Sequence, residues 1–345
     1  MSIVGLDLGT YSIKALEIDE IKGNKVLKNF TVFNDAKLNL ESNTKEDLDY
    51  YSEKLKEIFS ENGFTSNQVI VSLPESDVFT RVIKVPQMGE KDLKSSIAFE
   101  AEQYIPLPLK EVNYDFQIID TDSIDKNKMD VLLVAAKQAV LSKYVAILKD
   151  AKLVPKGLEP ETLAIGRVLG DNPSRPSASI ILNMGELSTE IIVTYKGYVR
   201  FTRSISMGGD TLSRSLAQAL NFDFNQAEEY KKTYGLDSTQ ADGKVYEVLK
   251  PLFDNITAEI KRSKIFYTTH NPNVIINRVI LSGGAALMPG LLFYMANNLD
   301  LEVELANPWR NIRISEKILS KKEYLTDSGP MFVTAVGLAM KGLAS

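Results

Sequence analysis

The stretch Ile3-Val4-Gly5-Leu6-Asp7-Leu8-Gly9-Thr10-Tyr11-Ser12-Ile13-Lys14-Ala15-Leu16-Glu17-Ile18 decides the architecture. A short apolar strand stops at a glycine turn and strand alternation resumes at Ser12, so the pattern predicts a β-hairpin. Val26 to Phe33 adds a third strand. Leu48, Tyr51, Leu55, Ile58 and Phe59 mark one face of a helix from about Lys45 to Glu61 that ends at Asn62-Gly63. Strands at Val69 to Leu73 and Val78 to Val85 complete an α/β layer.

The opening hairpin recurs. Leu6-Asp7-Leu8-Gly9-x-x-Ser12 lies in register with Leu182-Asn183-Met184-Gly185-x-x-Ser188, within Ser179 to Val193. Repetition on this scale predicts two like-folded lobes facing each other. A hairpin tip built on Gly9 lets backbone N–H groups converge without a Cβ in the way, which makes an anion-binding nest. Ser12 and Lys14 add a hydroxyl and a cation for the same phosphates. Asp7, at the strand end, can hold Mg²⁺ through its water shell. Two such tips would pinch a triphosphate between them. Asp-x-Gly-Thr alone also describes an ordinary hairpin turn; the repeat is what favours the phosphate reading.

A third element supports it. Ile280-Leu281-Ser282-Gly283-Gly284-Ala285 runs an apolar strand into two glycines and then a helix start, where a flat ligand can approach the backbone and phosphate oxygens find N–H groups. A loop that merely needs small residues would look the same. No G-x-x-x-x-G-K-[ST] run is present, so the chain is not a P-loop protein.

Between the two repeats the texture changes. Glu90 to Tyr104 reads as a helix stopped by Pro106 and Pro108, Asn113 to Asp120 as a strand, 122–130 as a polar turn, Met129 to Ala136 as a strand and Val140 to Ala151 as a helix. These elements predict a compact insertion of about 70 residues with its own core. Asn172-Pro173-Ser174-Arg175-Pro176 is a linker by composition. Beyond it, Tyr198 to Ser204 reads as a strand, and helical patterns cover Asp210 to Leu220, Phe224 to Tyr234 and Val245 to Tyr267. A buried strand at Val274 to Ser282 and helices after Pro289-Gly290 and Gly329-Pro330 close the chain.

Composition narrows the function classes. In 345 residues, 44% are apolar and 25% charged, the balance of a soluble globular chain with about two domains or three smaller lobes. The net charge of −5 disfavours a broad nucleic-acid face. Without cysteine there is no disulfide, thiol nucleophile or zinc–thiolate site. His270 stands alone in a polar stretch and reads as an ordinary loop histidine. The first residues pass straight into a strand with no targeting pattern, and no apolar run reaches the roughly 20 residues of a membrane span. The expectation is a cytoplasmic-type chain.

Gly5 to Thr10, the second hairpin, Gly208-Gly209-Asp210, Ala227-Glu228-x-x-Lys231, Leu281 to Gly284 and Ala335-Val336-Gly337 resemble, in order and spacing, the phosphate, connecting and adenosine motifs of the actin/Hsp70/sugar-kinase superfamily. More narrowly, Arg81-x-x-x-x-Pro86, Glu100-Ala101-x-x-Tyr104-Ile105-Pro106, Val131 to Ala136 and Gly329-Pro330-x-Phe332 through Ala339 resemble the PilM family of type IV pilus assembly proteins, relatives of the cell-division protein FtsA. The resemblance implies an α/β, actin-like (ribonuclease H-like) two-lobed fold. It assigns 1–85 with 159–175 and 330–345 to the first lobe, and 86–158 to an FtsA/PilM-type insertion subdomain. The second lobe takes 176–211 with 274–329, and its helix-rich subdomain takes 212–273.

The same resemblance implies ATP and Mg²⁺ as ligands. It places Asp7, Gly9, Thr10, Tyr11, Ser12 and Lys14 on the first phosphate loop and Gly185, Glu186, Leu187 and Ser188 on the second. Gly208, Gly209 and Asp210 fall near the phosphates or ribose, and Glu228 and Lys231 on ribose and adenine, where a solvated helix face is the alternative. Gly283, Gly284 and Ala285 lie against the adenosine, with Arg262 and Ser263 as further candidates for the base pocket. Asn183 stands where an aspartate is frequent. An amide hydrogen-bonds water but takes no proton, and losing a general base costs roughly 10²–10⁴-fold in rate, so slow or absent ATP turnover is expected.

For partners, the resemblance implies an extended N-terminal peptide of a PilN-like inner-membrane protein, held near the insertion by Phe99, Gln103, Tyr104, Ile105 and Pro106, or else these aromatics fill the insertion core. Pilus motor ATPases and self-association are further partners it admits, with the chain peripheral to the inner membrane through them. An FtsA-like filament protein would carry a C-terminal amphipathic helix after a linker, and none follows Met340. A small-molecule kinase of the same superfamily would need a positioned carboxylate base beside a substrate cleft.

Overall fold

The computed structural model describes residues 2–119, 127–170 and 177–343. The linker 172–176 and residues 122–126 of the expected polar turn lie outside the described residues. The first hairpin forms from β1 (Ile3–Leu8) and β2 (Ser12–Ile21), followed by β3 (Asn24–Asn34), helix α1 (Lys45–Glu61) and β4 (Gln68–Leu73). Thr44 caps α1 by accepting from the Asp47 N–H, with Glu46 and Asp47 in its first turn, where carboxylates suit the helix dipole. β1 is buried on both faces, which is why it reads as a nearly continuous apolar run.

An insertion follows, made of β5 (Val78–Pro86), α2 (Glu90–Glu102), β6 (Val112–Ile118) and β7 (Lys128–Lys137). The chain then returns through α3 (Gln138–Asp150), β8 (Val154–Pro160) and α4 (Glu161–Leu169). The second hairpin is β9 (Ser177–Met184) and β10 (Thr189–Tyr195), followed by β11 (Tyr198–Ile205), α5 (Gly209–Leu220), α6 (Phe224–Tyr234) and α7 (Lys244–His270). β12 (Ile275–Ser282), α8 (Leu291–Asn298), β13 (Glu302–Leu305), β14 (Ile312–Ile314), α9 (Lys322–Asp327) and α10 (Val333–Lys341) complete it.

The repeat seen in two hairpins extends to whole sheets. The first sheet runs β14-β3-β2-β1-β4-β8 and the second β11-β10-β9-β12-β13. In both, an antiparallel three-strand meander is continued by two parallel strands. Asp7 pairs with Lys14 in the first hairpin and Asn183 with Glu190 in the second, at equivalent positions.

Two helices lie between the sheets. On α10, Ala335, Val336 and Ala339 pack with Leu16, Ile18 and Leu27 of the first sheet. On α4, Ile165 and Leu169 pack with Ile181, Ile192 and Ile280 of the second. A Cβ on Gly337 would sit 2.0 Å from the Ala164 carbonyl oxygen, so only glycine allows α10 and α4 to come this close. The outer face of the first sheet is covered by α1 and α3, and that of the second by α5 to α8.

The insertion boundaries differ from the expected 86–158. β5, expected in the first lobe, pairs along its whole length with β7, so the insertion sheet is β5-β7-β6. α3 and β8 belong to the first lobe. Tyr144, Ile147 and Leu148 of α3 join the core under α1, where the Ser52 hydroxyl donates to the Ile147 carbonyl at 3.2 Å, and β8 pairs in parallel with β4. The apolar stripe of α3 matches that of α1 rather than the small core of Ile83, Val85, Leu93, Ile97 and Val131 in the insertion. An Arg200–Asp130 ion pair of 3.1 Å ties the insertion to strand β11 of the second lobe.

Candidate nucleotide cleft

The two hairpin tips border one cleft of about 580 Å³. Each tip is closed in the same way. The Gly9 N–H donates to the Ser12 carbonyl at 2.9 Å, and the Gly185 N–H to the Ser188 carbonyl at 2.9 Å. At the end of β1, Asp7 is held from both sides. The Ser72 hydroxyl donates to Oδ1 at 2.9 Å, and the Lys14 ammonium sits 3.2 Å from Oδ2 and donates to the Ser12 hydroxyl oxygen at 2.9 Å. The Tyr51 hydroxyl, buried beneath the tip, donates to the Gly9 carbonyl at 2.5 Å, which fixes the turn from below. Burial and the Asp7 charge push the Tyr51 phenol up, so it stays a neutral donor.

The second tip is braced by α5. The Gly209 and Asp210 N–H groups donate to the Gly185 and Glu186 carbonyls, each at 2.9 Å. Gly208 packs behind this contact, and Asp210 turns its carboxylate to Arg214 at 2.6 Å, so neither lines the cleft. Asp7, Gly9, Thr10, Tyr11, Ser12, Lys14, Gly185, Glu186, Leu187, Ser188, Gly209, Glu228, Lys231, Gly283, Gly284 and Ala285 all do.

Glu228 and Lys231 are not a solvated helix face. Lys231 is 6% exposed, donates to the Gly209 carbonyl at 2.9 Å and sits 2.6 Å from Glu228 Oε2. Burial works to raise the Glu228 carboxyl, but hydrogen bonds from Lys231 and Ser213 outweigh it and hold the group below its ordinary value. Gly283 has φ +86°, and a Cβ there would meet the Met184 carbonyl oxygen at 2.3 Å. Gly284 has open space where its Cβ would be, so the cradle continues into the cleft. The helix expected there is one 3₁₀ turn, Gly284–Leu287, with α8 starting only at Leu291.

Two expected base-pocket residues are elsewhere. Arg262 lies in a separate groove with Arg203 and Glu259, 2.8 Å from the latter, and Ser263 is 1% exposed in the helical core. They are adjacent on α7, so they point in different directions, and neither direction is the cleft. In the insertion, Phe99 is 70% exposed, and Gln103 and Pro106 are exposed. Tyr104 is half-buried with the Arg81 guanidinium over its ring at 5.4 Å. Ile105 is core, 6% exposed, because its backbone closes α2 through the Ala101 carbonyl and turns the side chain inward.

The sequence reading missed the carboxylates that line the back of the cleft. Glu161, first residue of α4, and Glu190 on β10 face it together with Asp7. Burial, then the charges of Glu190, Asp7 and Glu75, push the Glu161 carboxyl well up. Burial likewise raises Glu190, against hydrogen bonds from Ser188 and Asn183. Glu75, which accepts from the Thr162 hydroxyl at 2.8 Å, is raised to about 7 by burial. The signal in the sequence is Pro160-Glu161 at a strand-to-helix junction, which by itself marks no more than a helix start.

Among the described residues, seven carboxylates (Asp7, Glu41, Asp77, Glu161, Glu186, Glu190, Glu228) face three ammonium groups (Lys14, Lys231, Lys232) around the cleft. A polyphosphate entering such a field is repelled unless it brings a cation. No group of three or more His, Cys, Asp or Glu among the described residues is arranged to hold a metal ion, and the Asp7 carboxylate suits a divalent ion that keeps its water shell. The glycine cradle, the N–H nests and the Lys14 and Lys231 ammonium groups fit a nucleotide that carries Mg²⁺.

Comparisons with known proteins agree on the fold. The chain is similar over 99% of its length, with 26% identity and a TM-score of 0.85, to 99% of a chain in a PilM-PilN type IV pilus biogenesis complex. It is similar in fold to MreB 5 of Spiroplasma citri, solved bound to AMPPNP, with 14% identity, a TM-score of 0.53 and 99% and 97% of the two chains covered. The cell division protein FtsA of Neisseria meningitidis is 22% identical over 204 residues, 52% of this chain and 46% of that protein, so the match spans about half of that relative's length. The expected actin-like α/β fold is borne out by these likenesses. No helix among the described residues is long and apolar enough to cross a membrane. The family description "Type IV pilus assembly protein PilM" matches residues 5–343, nearly the whole chain, and the chain belongs to that family.

Proposed function

We propose that the protein is a cytoplasmic, ATP-binding, actin-like scaffold of the type IV pilus (or a related secretion system). In this reading it joins the inner-membrane assembly platform by holding the N-terminal cytoplasmic peptide of a PilN-like membrane protein. The observation that carries the nucleotide part is the facing of two glycine-tipped hairpins, one per lobe, across a cleft whose third wall is the Gly283-Gly284 cradle. Asp7 would hold Mg²⁺ through its water shell, Lys14 and Ser12 would meet the phosphates from the first tip, and the second tip would face them from the other lobe. Glu228 and Lys231 take the ribose and base.

Turnover is slow or absent in this proposal because Asn183 offers an amide, not a base, at the end of β9. The partner part is supported by family membership and by the likeness to a protein solved as a PilM-PilN complex. The insertion supplies what an extended peptide needs, an edge strand in β6 and the exposed Phe99 ring. Titrating the protein with the N-terminal peptide of its neighbouring bitopic membrane protein, with and without ATP–Mg²⁺, tests both halves. Saturable binding of each ligand is expected. Failure of the peptide to bind under either condition removes the scaffold reading.

A further inference from the structure

Helices α4 and α10 each run from the nucleotide cleft to a second cavity. Glu161 at the start of α4 and Thr334 at the start of α10 line the cleft, whereas Gly170 and Met340 at their other ends line a cavity of about 510 Å³. That volume is in the range of small-molecule sites. Its walls come from both lobes, with β3 and α4 on one side and β12, β13 and the loop to β14 on the other.

The lining is rich in donors and poor in acceptors. Among the described residues, Lys25, Arg167, Arg278 and Arg310 face it, with one carboxylate, Glu304. Glu304 is held by Arg278 at 3.1 Å, and Arg167 by Glu159, outside the cavity, at 2.6 Å. Among the described residues neither Lys25 nor Arg310 has an ion-pair partner. The Asn307 side-chain oxygen accepts from the Trp309 N–H at 3.0 Å, which leaves its amide to donate. Among the described residues no aromatic ring lines the cavity to stack on a base.

We infer that this cavity binds a small oligophosphate-bearing molecule, distinct from the nucleotide in the cleft. Lys25 from one lobe and Arg310 from the other bring positive charge to one space beside two guanidinium groups already in ion pairs, and a multiply charged anion would bridge them. Guanidinium groups meet phosphate oxygens through paired N–H donors, and a chain of phosphates carries enough charge and oxygens to engage Lys25 and Arg310 together, which one carboxylate does not.

The test uses inorganic tripolyphosphate, the full chain and hydrogen exchange read peptide by peptide, with affinity from calorimetry. Slowed exchange at 166–170 and 305–312 is expected in the unaltered protein and in Lys14→Ala, which weakens the phosphate loop of the cleft. The double variant Lys25→Glu/Arg310→Glu should weaken that site about tenfold or more, with cleft exchange unaltered. Should the double variant unfold, Arg310→Gln alone carries the same test with a loss of about threefold. Protection confined to the two hairpin tips, unchanged affinity in the charge-reversed variant, or occupation by a poly-glutamate peptide but not by tripolyphosphate would each overturn the inference.

Discussion

Across the second hairpin the Asn183 side-chain amide donates to Glu190 Oε2 at 3.2 Å, in the same register in which Asp7 faces Lys14 across the first. The two lobes repeat a backbone but not its charges. The first tip carries an acid and a cation, the second an amide and an acid, and the second tip's positive charge comes from Lys231 on α6, through Glu186 and Gly209. The two tips therefore differ in where their nearest ammonium group comes from, Lys14 on the hairpin itself in one lobe and Lys231 on a separate helix in the other.

Lys14→Ala is expected to lower ATP–Mg²⁺ affinity by about 10- to 100-fold, the range of a charge-assisted contact in a partly enclosed site. The nucleotide-free melting temperature should fall by a few degrees, because the Lys14–Asp7 pair is only 13% exposed on each side and its loss leaves Asp7 with the Ser72 hydroxyl alone. Calorimetric titration beside a melting curve separates the two. Equal affinity in variant and wild type would remove Lys14 from the phosphate site.

Gly283 and Gly284 differ in a way that separates folding from binding. Gly283→Ala places a Cβ 2.3 Å from the Met184 carbonyl oxygen at φ +86°, and a loss of about 1–3 kcal/mol in urea unfolding is expected. Gly284→Ala meets no atom within 4 Å, so its stability should hold while the methyl intrudes on the cleft and weakens nucleotide binding. The reverse pattern, a stable Gly283→Ala and an unstable Gly284→Ala, would contradict the geometry.

Much of this arrangement was legible in the chain. Alternating apolar residues with a glycine stop give both hairpins, and their register match gives two lobes, since a pattern of local contacts survives without knowledge of the fold. The insertion was found, but its edges were not. β5 reads the same whichever sheet it joins, and the stripe of α3 does not say which core it will enter. Glu161 escaped because a lone carboxylate at a helix start looks like a favourable dipole contact, and only the packing of α4 between the sheets turns it toward the cleft. Arg262 and Ser263 were misplaced because on α7 neighbouring residues face different sides of one helix.

In the insertion, Phe99→Asp is expected to weaken binding of the partner peptide by about tenfold or more while leaving the melting temperature within a degree or two, since the ring is exposed. Ile105→Asp should do the opposite, since it buries a charge in the insertion core and loosens that subdomain. Peptide titration and limited proteolysis of the insertion read the two effects. A Phe99→Asp protein that binds the peptide normally would move the docking face elsewhere.

Glu75, buried beside Thr162, gives the fold a pH-dependent stability. Its carboxyl is raised from about 4.5 in the unfolded chain to about 7 in the fold, so the native state prefers the protonated form. The associated stability is fully present below pH 4.5 and lost as pH rises through 7. Glu75→Gln keeps an acceptor for the Thr162 hydroxyl and removes the ionisation, so the variant should match wild type near pH 4.5 and exceed it at pH 8 by at most roughly 3 kcal/mol. Glu161 and Glu190, raised for the same reason, would leave part of the slope in place. Urea unfolding across that pH range decides it, and parallel curves for the two proteins would show that Glu75 ionises normally.

The amide at Asn183 is also open to direct test. Asn183→Asp removes the donor to Glu190 and sets a second carboxyl against one already raised by burial, so the two must share a proton. A loss of about 1–3 kcal/mol that deepens as pH rises is expected, and Glu190→Gln in the same chain should restore most of it by returning an amide–carboxylate pair with its polarity reversed. That double variant then carries an ionised carboxylate at the position equivalent to Asp7 in the other lobe. With a base available at the second tip, phosphate release from ATP–Mg²⁺ should rise by about 100-fold or more over the wild-type rate. Rescued stability with no gain in turnover would show that Asn183 is not what limits hydrolysis, and would shift that role to Glu161 or to the closure of the lobes.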